Sequence, residues 1–158
     1  MGARKVTLIL GAAAFLGAAA EVSGWISRGG ERWVLIDVSA SALRGRAALY
    51  ADLPSLCAEA LGGLRGADRA GAILFASSAR ALSPTAGVGA LSSRLGEGLA
   101  AAGDLPSPGE TNFAAALGAL LGLAGPRADA VLLSDGVETA GDFRTAATAL
   151  ARRGIPVH

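Results

Sequence analysis

The chain has 158 residues, of which 52% are hydrophobic, 17% charged and 4% aromatic, with 23 glycines and a formal net charge of +1. One domain is the natural reading at this length, the apolar content excludes an intrinsically disordered chain, and the near-balance of charge leaves no cationic surface for nucleic acid. A single cysteine (Cys57), a single histidine (His158) and a single lysine (Lys5) exclude an intrachain disulfide, a P-loop and a Schiff-base lysine, and argue against a Ser-His-Asp triad or a His/Cys zinc site.

The charged share lies below the roughly 25% usual for soluble domains, which points to a membrane or export segment. Arg4 and Lys5 precede residues 6–20 (VTLILGAAAFLGAAA), which carry no charge. Continued through Trp25 and Ile26, the stretch reaches the ~20 apolar residues of a spanning helix, with Trp25 at the interface. Residues 1–26 then form a signal-anchor. The same residues also fit a signal peptide cleaved near Ala20, after Ala18-Ala19-Ala20. In both readings the basic flank keeps the N-terminus in the cytoplasm, so the folded part is membrane-anchored and extracytoplasmic, or secreted or periplasmic after cleavage.

Residues 27–31 (SRGGE) read as a linker and residues 32–158 as the folded domain. Residues 32–38 (RWVLIDV) form a continuous apolar run ending in Asp, as in a strand buried on both faces of a parallel sheet. Residues 44–65 read as a helix, with Leu49, Leu53, Leu56, Ala60 and Leu64 on one face. Pro54 should kink it or mark a second start. Residues 68–75 (DRAGAILF) read as a second strand, and residues 79–82 as an antiparallel edge strand ended by Ser83-Pro84. A helix diluted by Gly96 and Gly98 follows over residues 88–101, then a loop over 103–109 (GDLPSPG).

Residues 112–124 form a helix with Thr111 available as N-cap and Gly125-Pro126 as its stop. Residues 130–134 (AVLLS) are a buried strand followed by Asp135-Gly136. Residues 143–153 form a helix closed by Gly154, and residues 155–158 look like the start of a further strand. The alternation predicts an α/β fold: a doubly wound, mostly parallel sheet with helices on both faces.

In such a sheet ligands bind outside the carboxyl ends of the strands. Two apolar strands here end in Asp: Asp37 in DVSAS and Asp135 in SDG. In an extended segment Asp37, Ser39 and Ser41 would point the same way. Thr111 adds a third hydroxyl and Asp135 a second carboxylate. This all-oxygen set suits a hard divalent cation, Mg²⁺ or Mn²⁺, rather than zinc or copper. Each piece also has a local reading: Ser39, Ser41 and Thr111 as helix caps, Asp135-Gly136 as a turn. Asp37 is the exception, since a carboxylate ending a buried strand must be solvated, paired or metal-bound. Glu110, Glu138, Thr139 and Asp142 are polar neighbours that fit a turn or a helix start, Asp142 as a cap; Glu138, Thr139 and Asp142 also suit the rim of the site.

These residues resemble a von Willebrand factor A (VWA) domain with a metal-ion-dependent adhesion site. The family's D-x-S-x-S after the first strand matches Asp37-Val38-Ser39-Ala40-Ser41, its threonine at a helix start matches Thr111 in GETNFAAAL, and its aspartate after the fourth strand matches Asp135 in VLLSDGVETAGD. The resemblance covers about residues 32–158. The family's last strand and closing helix are missing, so the domain reads as C-terminally truncated.

The resemblance implies a Rossmann-like VWA fold and a metal held by Asp37, Ser39, Ser41, Thr111 and Asp135. The ion would be Mg²⁺, or Mn²⁺ or Ca²⁺, and a protein ligand would supply a carboxylate to it. With the N-terminal segment, the chain is similar to bacterial membrane-anchored VWA proteins of the envelope. Resemblance alone suggests an AAA-type ATPase system as partner. No catalytic residue is expected. Two other classes stay open: a Mg²⁺-dependent phosphoryl-transfer or hydrolytic enzyme built on Asp37 and Asp135, and a structural envelope protein whose metal site takes no ligand.

Overall fold

The structure is a computed structural model that describes residues 30–45, 53–64, 68–87, 90–91, 94–95, 109–137 and 139–158. The expected N-terminal anchor or signal segment lies outside the described residues, as do most of the 88–101 helix and the 103–109 loop. Among the described residues no helix is long and apolar enough to cross a membrane.

Four strands form one sheet in the order β3-β2-β1-β4. β1 (Glu31–Asp37) occupies the interior, parallel to β2 (Arg69–Phe75) on one side and to β4 (Ala128–Leu133) on the other. Six consecutive residues of β1 are buried, because helices cover both faces of a parallel sheet and leave no solvated side. Alternation divides its side chains between two cores. Val34, Ile36 and Val38 pack with Cys57, Leu61, Leu91 and Leu95, whereas Trp33 and Leu35 pack with Ala116, Leu120, Leu150 and Ile155. The α/β, Rossmann-like class expected from the sequence is the class observed.

Several boundaries move for identifiable reasons. Glu31 belongs to β1 rather than to the preceding linker, and its carboxylate accepts from Trp33 Nε1 and, at 3.2 Å, from the Gly125 amide. The expected 44–65 helix is described as two elements, α1 (Ala40–Gly45) and α2 (Leu53–Ala60), with residues 46–52 outside the described set. Pro54 is the second residue of α2, which suits a residue without an N–H in a first helical turn. α2 ends before Arg65 because Gly63 adopts φ 82°, the left-handed conformation that stops helices.

The edge strand β3 (Ala79–Ala86) runs antiparallel to β2, as expected, but continues through Ser83-Pro84. Between the pairs Ala72–Ser83 and Ala70–Ala86, β3 uses one residue more than β2, and Pro84 lies in that irregularity. A proline is tolerated there because a bulge needs no ladder hydrogen bond from it.

α3 (Phe113–Leu123) and α4 (Arg144–Arg152) cover the Trp33 face. Phe113 stacks edge-on against Phe75 of the sheet (5.7 Å between ring centres) and against Phe143 (6.3 Å). Arg153 donates from its Nη2 to the Ala124 carbonyl at 2.9 Å, tying the end of α4 to the end of α3. Gly154, at φ 70°, then turns the chain so that residues 155–158 lie parallel to β4. Pro156 O and His158 O accept from Ala130 N and Leu132 N at 2.9 and 2.8 Å. This bridge stands where the sequence suggested the start of a further strand.

At the amino edge of the sheet Arg32 is buried. It makes a charge-assisted pair with Asp129 (Nη2 to Oδ2, 2.7 Å) and donates to Ala60 O at 3.0 Å, near the carboxyl end of α2. Both oxygens of Asp129 and the negative end of a helix face it, so its charge is compensated by protein groups.

Candidate metal centre

The opposite, carboxyl edge of the sheet carries the candidate site. The connection after β1 leads to β2 on one side. The connection after β4 leads to residues 155–158 on the other. β1 and β4 therefore diverge at a topological switch point, where the loops leave a crevice. Asp37 ends β1, and Ser134-Asp135 follow β4 directly beside it, since Ile36 pairs with Leu133.

The DVSAS segment does not stay extended, as spacing alone suggested. Val38 still bonds to β2, donating to Phe75 O at 2.8 Å, but the chain then bends at Ser39 and starts α1 at Ala40. The three side chains converge through this strand-to-helix turn instead. The Ser39 amide donates to Asp37 Oδ1 at 2.9 Å, and the Ser39 and Ser41 hydroxyl oxygens lie 3.0 Å apart. Asp37 and Ser39 are fully buried, whereas Ser41 is exposed. Ser39 also caps α1, its hydroxyl oxygen accepting from Ala42 N at 3.4 Å while its carbonyl accepts from Leu43 N at 2.9 Å.

Asp37 is the electrostatic centre of the site. Burial pushes its carboxyl above the ordinary value of 3.8, hydrogen bonds from Ser39 and Ser134 oppose that shift, and the nearby charge of Asp135 adds to it. Ser134, which sequence reasoning passed over, donates its hydroxyl to Asp37 Oδ2 at 2.7 Å while accepting from the Gly136 amide at 3.1 Å. Its only sequence signal was its place beside Asp135 at the end of an apolar strand. Asp135 also makes a local turn, accepting from Val137 N at 3.1 Å with Gly136 at φ 80°. That bond uses Oδ1 of a half-buried carboxylate.

Thr111 is not the N-cap of α3. Asn112 is: its Oδ1 accepts from Ala115 N at 3.0 Å. Asn112 fits better because its own φ of −121° and ψ of 91° are those of a capping residue, which leaves Thr111 one position outside. Asn112 N donates to Ala76 O at 2.9 Å, placing this turn against the end of β2. The Thr111 hydroxyl is thus released from any capping duty. It is 0% exposed, and among the described residues Oγ1 has no hydrogen-bond partner. A buried hydroxyl left unpaired costs about 1–3 kcal/mol, so its retention needs a reason.

Of the flanking residues, Glu110 is exposed and Glu138 lies outside the described set. Asp142 accepts from Arg144 N at 3.0 Å in the first turn of α4, a local role. Thr139 reaches Thr111: its hydroxyl oxygen accepts from the Thr111 amide at 2.7 Å. Among the described residues no group of three His, Cys, Asp or Glu side chains comes together. The donors at this edge are two carboxylates with three hydroxyls, the chemistry of a hard oxygen-bound cation.

No family model matches the chain, and no curated protein matches it in sequence. Solved structures do resemble it. One is an aerotolerance-related membrane protein from Bacteroides fragilis, 22% identical, with a TM-score of 0.66 over 82% of this chain and 65% of that one. BatB from Bacteroides thetaiotaomicron, also 22% identical, gives 0.56 over 82% and 64%. A third is proximal thread matrix protein 1 of the mussel byssus, with a zinc-occupied MIDAS motif. It is 17% identical and gives 0.61 over 82% and 37%. The chain therefore spans less than two thirds of the length of each. At these identities the likeness is one of fold alone, the α/β Rossmann-like arrangement.

Proposed function

We propose that this chain is a divalent-metal-dependent protein-binding module of the VWA type, held outside the cytoplasmic membrane by its N-terminal segment. The observation that carries the reading is the buried Thr111 hydroxyl, which has no partner among the described residues, at the same sheet edge as Asp37, Ser39, Ser41 and Asp135. A cation supplies what that hydroxyl lacks, and it also offsets the burial of Asp37 next to Asp135.

In this reading the hydroxyls of Ser39, Ser41 and Thr111 and the carboxylates of Asp37 and Asp135 hold Mg²⁺, Mn²⁺ or Ca²⁺, and the ion supplies a Lewis-acidic position for a partner's carboxylate. Neutral hydroxyl donors leave the ion electrophilic, which favours an acidic ligand. Ser41 is the exposed member of the set and marks the side from which a partner approaches. The zinc in the mussel protein belongs to that protein, and it adds Zn²⁺ to the ions worth comparing. The bacterial membrane-related neighbours support an envelope setting in the same indirect way.

The test is calorimetric titration of the full chain with Mg²⁺, Mn²⁺, Ca²⁺ and Zn²⁺, beside Asp37→Ala. It is followed by capture of envelope proteins in Mg²⁺ or in EDTA. One saturable site lost in Asp37→Ala, with capture lost in EDTA, supports the module. Absence of saturable binding by any of the four ions removes the proposal.

A further inference from the structure

Among the described residues the Thr111 hydroxyl has no partner to orient it, yet it must stay in one place to serve as a donor. Its backbone is fixed from a single direction. Thr111 N donates to Thr139 Oγ1 at 2.7 Å, while Thr139 N and Ala140 N donate to Thr111 O at 3.0 and 3.1 Å. The two bonds with Thr139 span 28 positions, and with the Ala140 bond they occupy both polar groups of the Thr111 backbone.

The next residues close the same contact. Gly141 sits at φ 87°, and a Cβ there would come within 2.7 Å of Asn112 Oδ1, the capping oxygen of α3. The 139–141 segment is therefore pressed onto the 111–112 turn, with no room for a side chain at Gly141. With its backbone held, a β-branched residue such as Thr111 has few χ1 choices left, and its hydroxyl direction is fixed as well.

We infer that Thr139 is a positioning residue for the metal centre: its hydroxyl anchors the Thr111 amide and so holds Thr111 Oγ1 where a cation takes it as a ligand. The inference rests on the metal-binding reading above. Thr139 touches no metal itself. It acts as outer-shell groups act elsewhere, by removing the freedom of a ligand before the ion arrives. It also links the site to the loop that leads into α4, so the ion and the entry to that helix share one hydrogen-bonded unit.

The experiment compares the full chain with Thr139→Val, Thr139→Ala and Thr139→Ser. Thr139 is exposed, so each substitution leaves the cores untouched. The first readout is Mn²⁺ affinity by titration. The second, in metal-free protein, is hydrogen exchange at the Thr111 amide. Val and Ala should weaken Mn²⁺ binding about 10–100-fold, the range for outer-shell partners. They should also deprotect the Thr111 amide, and Ser should restore both. If the wild type binds Mn²⁺ and the Val and Ala variants bind it equally well, or if Ser fails to restore it, Thr139 has no positioning role and the metal site stands without it. If the wild type binds no Mn²⁺ at the concentrations used while the Thr111 amide still depends on Thr139, the metal reading fails and takes this inference with it.

Discussion

Thr111→Val removes one oxygen and keeps the shape of the side chain. For an ordinary structural threonine the loss of a hydrogen bond destabilises the fold. Here the hydroxyl is fully buried with no partner among the described residues, so the sign reverses in metal-free protein. Deleting an unsatisfied buried hydroxyl should stabilise by about 1–3 kcal/mol. At roughly 2–4 °C per kcal/mol for a domain of this size, the metal-free melting temperature should rise by roughly 2–12 °C. Mn²⁺ at 100 times its Kd should stabilise the wild type by about 2.7 kcal/mol and the variant by much less, so the advantage of the variant closes or reverses. The assay is a pair of thermal melts followed by circular dichroism, in EDTA and in Mn²⁺. A variant less stable than wild type in EDTA would mean that the hydroxyl has a structural partner. A full Mn²⁺ shift in the variant would remove Thr111 from the ligand set.

Asp37→Asn keeps an acceptor for the Ser39 amide and removes a buried charge. Because the folded state raises the Asp37 pKa above 3.8, the folded wild type holds that proton to higher pH than the unfolded chain. Its stability therefore falls as pH rises from 3.8 through the raised value, and the loss is complete above it. In EDTA the variant should melt higher than wild type at pH 7, with the gap shrinking toward pH 4; a gap independent of pH refutes the burial argument. Gly71→Ala tests the core on the other side of the argument. A Cβ at Gly71 would lie 2.6 Å from the Trp33 ring on the neighbouring strand, so the variant should lose about 1–3 kcal/mol in chemical denaturation with its Mn²⁺ affinity unchanged. A neutral result would show that the Trp33 ring moves aside freely.

The class of fold was legible because burial on two faces writes itself as continuous apolar runs. RWVLID, RAGAILF and AVLL are uninterrupted, and each reads as a strand within two residues of its observed bounds. The stop of α3 at Gly125-Pro126 and of α4 at Gly154 followed from backbone chemistry that any sequence displays. Pro84 was misread as a terminator because a proline's effect depends on whether its strand is an edge. That is a property of the sheet and not of the residue. The choice between Thr111 and Asn112 as cap was open locally, since both side chains can accept a bond from a first-turn amide.

The sequence by itself determined the donor chemistry of the candidate site: two carboxylates at strand ends, three hydroxyls, and no histidine or lysine near them in the chain. Those are facts of residue type and order, and they survive whatever geometry the chain adopts. Only the tertiary structure decided which hydroxyls were free. The Ser39 hydroxyl bonds to Ser41 and Ala42, Ser134 joins Asp37 across 97 positions, and Thr111 is pinned by Thr139 across 28, with its own oxygen left unpaired among the described residues. Hydrogen-bond satisfaction is a balance struck among groups brought together in space. A sequence names the donors and acceptors, but the fold determines which of them is left without a partner.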